Sequence, residues 1–146
     1  MSVVKHNKKG AVLVEFVIVL PLFLLMLFVM IYGGMLMHDY NGLNELTRAA
    51  ARYGVVEASG DSTPEADGSD SAKVRAVKNY ISNNGNNFLI IYEIKNTAVS
   101  VGQDPTMGSD DVLNVTVTAK RLEVPVIVKD IMPEDISSTM KMRIEQ

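Results

Sequence analysis

Lys8-Lys9-Gly10-Ala11-Val12-Leu13-Val14-Glu15-Phe16 opens the stretch that decides how this chain folds. Apolar residues follow as far as Met37, interrupted only by Pro21, Tyr32, Gly33 and Gly34. From Phe16 to Met37 there are 22 residues without a charge. As a helix rising ~1.5 Å per residue they cover roughly 33 Å, enough to cross a bilayer core. A cleavable secretory signal has a shorter apolar region, about 7–15 residues, ending in small side chains. Met35-Leu36-Met37 offers no such site, so the run is expected to stay attached. Lys5, Lys8 and Lys9 precede the run and no acid does. That asymmetry predicts a cytoplasmic N-terminus and an exported remainder after His38. Pro21 removes one backbone donor and is expected to bend or loosen the helix.

Glu15 is the oddity of the stretch. A carboxylate in an apolar run is costly and marks a functional position whose partner must be named. Lys8 and Lys9 of the same chain are one possible partner. The other is intermolecular. A cut after Gly10 makes Ala11 a new N-terminus, and a neighbour's Glu15 can pair with its amine. Two unit charges about 4 Å apart attract by ~4 kcal/mol at an effective dielectric near 20, before desolvation is subtracted. Such a pair sets the axial register between subunits. Glycine before the cut lets the backbone enter a narrow peptidase cleft.

A short basic leader, Gly10, a hydrophobic stretch, Glu15 at the fifth position after the glycine, and a long apolar helix together resemble the class III signal of type IV pilins and pseudopilins. Gly10-Ala11-Val12-Leu13-Val14-Glu15-Phe16-Val17-Ile18-Val19-Leu20-Pro21 is similar, more narrowly, to the start of the TadE family. These are minor pilins or pseudopilins of the tight-adherence (Flp, type IVc) pilus. Leu46-Thr47-Arg48-Ala49-Ala50-Ala51-Arg52-Tyr53-Gly54 resembles that family's Ala/Arg-rich helix, and Ser138 to Glu145 resembles its ending. The resemblance implies processing by a prepilin peptidase between Gly10 and Ala11, with Glu15, Phe16 and Pro21 serving subunit assembly. It implies other minor and major pilins, the inner-membrane pilus assembly platform and membrane lipid as partners. It places the subunit in the inner membrane or in the pilus, at a tip or priming complex that supports adhesion. The rival reading is an uncleaved, single-pass anchored binding domain, in which Glu15 is replaceable.

Composition narrows the rest. The chain has 146 residues, and the leader and long helix leave enough for one small domain. The formal net charge of −3 becomes −6 without residues 1–10, because Lys5, Lys8 and Lys9 leave and no acid does. An acidic exported domain argues against nucleic-acid binding, which needs clustered Lys and Arg. The absence of cysteine excludes disulfides, thiolate metal sites and cysteine nucleophiles.

The expected organisation is α+β and pilin-like: leader 1–10, transmembrane and extended helix 11–57, and a small exported domain 58–146. Past the membrane, Leu43, Leu46, Ala50 and Tyr53 recur at helical spacing, with Glu45, Arg48 and Arg52 on the other side. That stripe is expected to pack on the chain's own sheet, with some role for Ala49-Ala50-Ala51 in subunit docking. Gly33, Gly34 and Gly42 are expected to add flexibility. Glu57 to Ser71, with Asp61, Glu65, Asp67 and Asp70, reads as a solvated acidic loop that misses the EF-hand spacing. Ser71 or Asp70 caps a helix from Ala72 to Ser82 whose face carries Val74, Val77 and Ile81. Asn83 to Asn87 breaks it. Phe88 to Ile94 reads as a strand that extends toward Val101, and Gly102 to Asp111 as a turn. A second strand spans Val112 to Leu122, its Leu113, Val115, Val117 and Ala119 alternating with polar residues. Val124 to Val128 reads as an edge or loop because of Pro125. Ser137 to Ile144 alternates as a final antiparallel strand.

The chemistry of catalysis is missing from this pattern. His6 and His38 are the only histidines, so no histidine-based triad or metal cluster can be assembled. No phosphate-binding glycine loop is present. Asp104, Asp110 and Asp111 read as a charged turn, and Asn114-Val115-Thr116 as a chance sequon in a strand. The expectation is a protein that is not an enzyme and carries no cofactor and no metal.

Overall fold

The structure is a computed structural model that describes residues 8–57, 70–103 and 111–144. Its elements run α1 (Lys8–Val56), α2 (Ala72–Asn84), a 3-10 turn (Gly85–Asn87), β1 (Tyr92–Gln103), β2 (Asp111–Arg121), α3 (Val126–Lys129) and β3 (Asp135–Arg143). This is the expected α+β order of a long apolar N-terminal helix followed by a small antiparallel sheet. The chain divides into two units, Met1–Gly34 and Met35–Gln146.

Within the first unit, α1 continues through Pro21. Every described side chain from Gly10 to Ile31 is exposed, and the most apolar window has none of its surface buried. A helix of this composition in the core of a soluble domain would be covered. Here the apolar surface is left for a bilayer or for other helices.

The second unit is built on a sheet of order β1-β2-β3, antiparallel throughout. Alternation along β2 buries Leu113, Val115, Val117 and Ala119 on one face. Register sets Met142, Met140, Ser138 and Ile136 of β3 opposite these residues in turn. On β1 the register shifts between Ile94 and Asn96, so Lys95 is skipped. The bulge brings the even-numbered Tyr92 and Ile94 onto the same face as the odd-numbered Thr97, Val99 and Val101. On the opposite face Thr116 and Thr139, paired in register, join hydroxyls at 2.9 Å.

The last part of α1 and α2 cover the buried face. Leu43, Leu46, Ala50 and Ala51 of α1 are fully buried, and Val74, Val77 and Ile81 of α2 join them. The stripe read from the sequence therefore packs on the chain's own domain, and Glu45, Arg48 and Arg52 are exposed as expected. Gly54 lets Leu113 and Val77 close over the helix. Tyr53 stacks on Tyr80 with ring centroids 4.8 Å apart. Thr47, also fully buried, satisfies its hydroxyl by donating to the Leu43 carbonyl at 2.7 Å. Ser71 caps α2 by accepting from the Val74 N–H at 3.3 Å, while Asp70 pairs with Lys78 instead.

Three expectations change. The strand foreseen from Phe88 starts only at Tyr92, because the preceding backbone bends to give its N–H groups to a side chain of α1. Val124 to Val128, read as an edge or a loop, enters a short helix from Val126. Pro125 caps the four-residue helix α3, and the Val128 and Lys129 N–H groups close on the Pro125 carbonyl at 3.0 and 3.2 Å. Gly42 is not a point of flexibility but a close approach: a Cβ there would sit 2.3 Å from the Phe88 carbonyl oxygen. The acids Asp61, Glu65 and Asp67, and the turn residues Asp104 and Asp110, lie outside the described residues.

Because that contact is with backbone rather than a movable side-chain tip, Gly42→Ala is expected to destabilise the second unit by about 1–3 kcal/mol. Thermal unfolding followed by circular dichroism in detergent checks it; an unchanged midpoint would contradict the close approach of α1 to Phe88.

Candidate functional site

Gly10, Ala11, Glu15, Phe16 and Pro21 all lie on α1, in the first unit, and all are exposed. Helical geometry places Ala11 and Glu15 four residues apart, hence on one face and separated by about 6 Å along the axis. Glu15 stands amid Val12, Leu13, Val14 and Phe16, each more than half exposed, and no ion pair joins it to any side chain that the structure describes; those of Lys8 and Lys9 lie outside the described ones. The region around Gly10 is open, with nothing within 4 Å of a Cβ built there. Such a helix end can be reached by an enzyme or by a neighbouring helix. An exposed carboxylate in that setting can accept from a cation supplied from outside the chain.

One further residue escaped the sequence reading. Asp39 follows the apolar run by two positions and is fully buried. Its carboxylate accepts three backbone N–H groups, from Ile90 at 2.9 Å, Ile91 at 2.8 Å and Tyr92 at 3.1 Å. His38 lies alongside, Nδ1 at 3.3 Å from the same carboxylate. Asp39 thus fixes the start of β1 against α1. The signal was present in the sequence: positions 39, 43, 46, 50 and 53 continue one helical stripe, so an acid at its head is carried to the buried side. A buried carboxylate needs several donors, and a run of backbone N–H groups at a strand start supplies them.

The same corner is tied further. The Tyr92 hydroxyl donates to the Pro133 carbonyl at 2.7 Å. The Arg121 guanidinium donates to the carbonyls of Lys129, at 2.9 Å, and of Met132. The Leu122 N–H donates to the Ile91 carbonyl at 2.9 Å. Burial pushes the Tyr92 hydroxyl above its ordinary titration range, an effect opposed by Arg121 and reinforced by Asp39 and Asp135. Among the described residues no group of three or more His, Cys, Asp or Glu could hold a metal ion.

Residues 10–52 match a protein-family model described as TadE-like protein. The match begins at Gly10 and takes in the apolar run, Asp39 and the Ala/Arg-rich stretch. The resemblance read from the sequence is borne out over this segment, and the chain is similar there to Tad pilus-associated proteins. That family is structural and pilus-related rather than catalytic. No curated protein and no solved structure matches the chain. The exposed apolar helix that starts the match has the length and composition of a membrane anchor.

Replacing Asp39 by Ala leaves buried backbone donors without an acceptor and is expected to cost on the order of 3 kcal/mol. Asp39→Asn is expected to recover only part of this, since an amide offers one acceptor oxygen and turns donors toward donors. Denaturant midpoints report both; equal midpoints for the unmodified and Asp39→Ala proteins would show that the carboxylate is not the clamp. A second expectation concerns pH. The folded state holds the Tyr92 proton more tightly than the unfolded chain does, so the stability it gives is whole below the ordinary tyrosine value of 10.0 and is lost as pH rises past it. Tyr92→Phe is expected to flatten that alkaline decline; a variant with the same pH profile would assign the decline to other groups.

Proposed function

We propose that this chain is a minor pilin or pseudopilin of a tight-adherence (Flp, type IVc) pilus. A prepilin peptidase cuts it between Gly10 and Ala11. The mature subunit sits in the inner membrane by α1, its N-terminus toward the cytoplasm and residues 58–146 exported. It joins a priming or tip complex with other minor and major pilins on the inner-membrane assembly platform, and the pilus serves surface adhesion. The protein acts by packing rather than by catalysis.

The observation that carries this reading is the combination on one helix: an open Gly10, an exposed Glu15 amid apolar side chains, and an apolar surface left wholly uncovered. A simple anchor needs the apolar surface alone. A carboxylate at the fifth position after the glycine has a use when a neighbour's freed Ala11 amine arrives beside it. The attraction, ~4 kcal/mol at an effective dielectric near 20, is large enough to select one axial register even after part of it is lost to desolvation. Phe16 and Pro21 lie on the same exposed segment, where they shape the surface that a neighbouring helix meets.

The intact mass and N-terminal sequence of the protein from its own host, with and without the prepilin peptidase, test the proposal. The expected result is a mature start at Ala11 that depends on the peptidase. A start at Met1 or Ser2 in both strains would leave the uncleaved anchored domain as the correct reading. Gly10→Val is expected to block the cut without lowering the thermal stability of the domain, because a side chain at position 10 meets nothing within 4 Å. Glu15→Ala is expected to be cut normally and to fail in assembly, scored by pilus recovery from sheared cells; full pilus recovery would remove Glu15 from the mechanism.

A further inference from the structure

The second unit has an apolar end. Downstream of α1, the large hydrophobic side chains exposed among the described residues are Ile90, Leu122, Val126 and Ile131, with exposures from 45% to 79%. They are far apart in sequence, and the fold gathers the segments that carry them. Asp39 holds residues 90–92. Tyr92 pairs with Arg121 at the end of β2, and Leu122 bonds back to Ile91. Arg121 in turn holds the carbonyls of Lys129 and Met132 that flank Ile131. Every link in this chain of bonds leads to Asp39, two residues beyond Met37, the end of the apolar run. Two residues of helix are about 3 Å. Around Ser100 and Gly102 the described strands carry no exposed large hydrophobic; a single one, Val56, stands at the end of α1, two residues past the Gly54 that packs on Leu113.

From this we infer that the end of the domain bearing Ile90, Leu122, Val126 and Ile131 lies in the interfacial layer of the same bilayer that α1 crosses. The inference rests on the reading of α1 as a membrane anchor. Met37 and Tyr40, both exposed and both in the second unit, flank the His38-Asp39 pair, and aromatic rings such as that of Tyr40 favour the headgroup region. On α3, Val128 is buried in the domain while Val126 is the most exposed of the four, so the short helix offers an apolar tip. The charges nearby are of both signs: Lys120 pairs with Glu134 at 3.4 Å and Lys95 with Asp135 at 4.0 Å, and the exposed Glu123, Lys129 and Asp130 add no net positive charge. Attachment is therefore by apolar insertion, to a depth of about 5–10 Å, and not by attraction to anionic lipid. A domain held this way is fixed close to the membrane surface and presents Ser100 and Gly102 away from it.

The chain has no tryptophan, so single tryptophans report without background. Full-length protein is reconstituted into phosphatidylcholine vesicles with or without bromine on the acyl chains. Three reporters are compared: Val126→Trp in the apolar tip, Ser100→Trp at the far end, and Phe23→Trp in the anchor. The expected result is bromine quenching and a blue-shifted emission for Val126→Trp and Phe23→Trp, with Ser100→Trp unquenched and open to aqueous iodide. Adding anionic lipid is expected to leave the pattern unchanged, and adding Leu122→Asp and Ile131→Asp to the Val126 reporter is expected to abolish its quenching. Ile131→Trp serves as a second reporter should Val126→Trp lower the fraction folded. Quenched Phe23→Trp with an iodide-accessible Val126→Trp would overturn the inference and leave the anchor standing. An unquenched Phe23→Trp would overturn the anchor itself. Shielding of Val126→Trp from iodide without bromine quenching would overturn the inference too, assigning the apolar end to a protein neighbour instead.

Discussion

A buried carboxylate holds the second unit together. Asp39 is the one acidic side chain with no exposure among the described residues, and it accepts from three backbone N–H groups with His38 alongside. Burying a charge is unfavourable unless donors surround it, and donors at a strand start are costly unless something accepts them. Each need answers the other. The bend at residues 88–91, the late start of β1 and the close seat of Gly42 under the Phe88 carbonyl follow from that exchange. From Tyr92 onward the sheet is regular apart from the bulge at Lys95, and its apolar face finds Leu43, Leu46 and Ala50 on the helix that Asp39 holds to it.

One helix thereby serves two environments. Its early residues expose apolar side chains with a single carboxylate among them, and its last turns form the wall of a protein core. In the proposed function the first environment is a bilayer crowded with related helices. A processed amine and Glu15 then provide the polar contact that apolar side chains cannot, because lipid tails and leucines attract one another without choosing a register. Small domains without disulfides have little core to spare. Borrowing the end of the long helix enlarges the core.

Much of this was legible in the sequence, and the misses have physical causes. The alternation in β2 and β3 and the 3.6-residue stripes of α1 and α2 come through because each element buries one face only. Phe88 to Ile91 read as strand because apolar runs score alike whether their backbone pairs with a sheet or with a side chain. Val124 to Val128 read as an edge or a loop because proline breaks regular structure in most settings, whereas at the head of a helical turn its missing donor costs nothing. The bulge at Lys95 has no composition of its own. Asp39 could have been found by extending the stripe backward from Leu43, but an acid beside the end of an apolar run reads more readily as a membrane boundary. Gly10, the candidate processing residue, and Glu15, the candidate assembly residue, stand out in the sequence by chemistry and spacing and enter the account as part of the proposal.

Hydrogen exchange along the full-length chain in vesicles tests most directly whether α1 is one structural element shared between anchor and domain, with Asp39 joining it to the sheet. The predicted result is protection from Phe16 to Val56 without a break. In the Asp39→Ala protein the predicted result is a selective loss at Leu43–Ala51 and Ile90–Tyr92 while Phe16–Met37 stays protected. Fast exchange beyond Met37 in the unmodified chain, or an Asp39→Ala pattern identical to it, would contradict a shared helix held by that carboxylate.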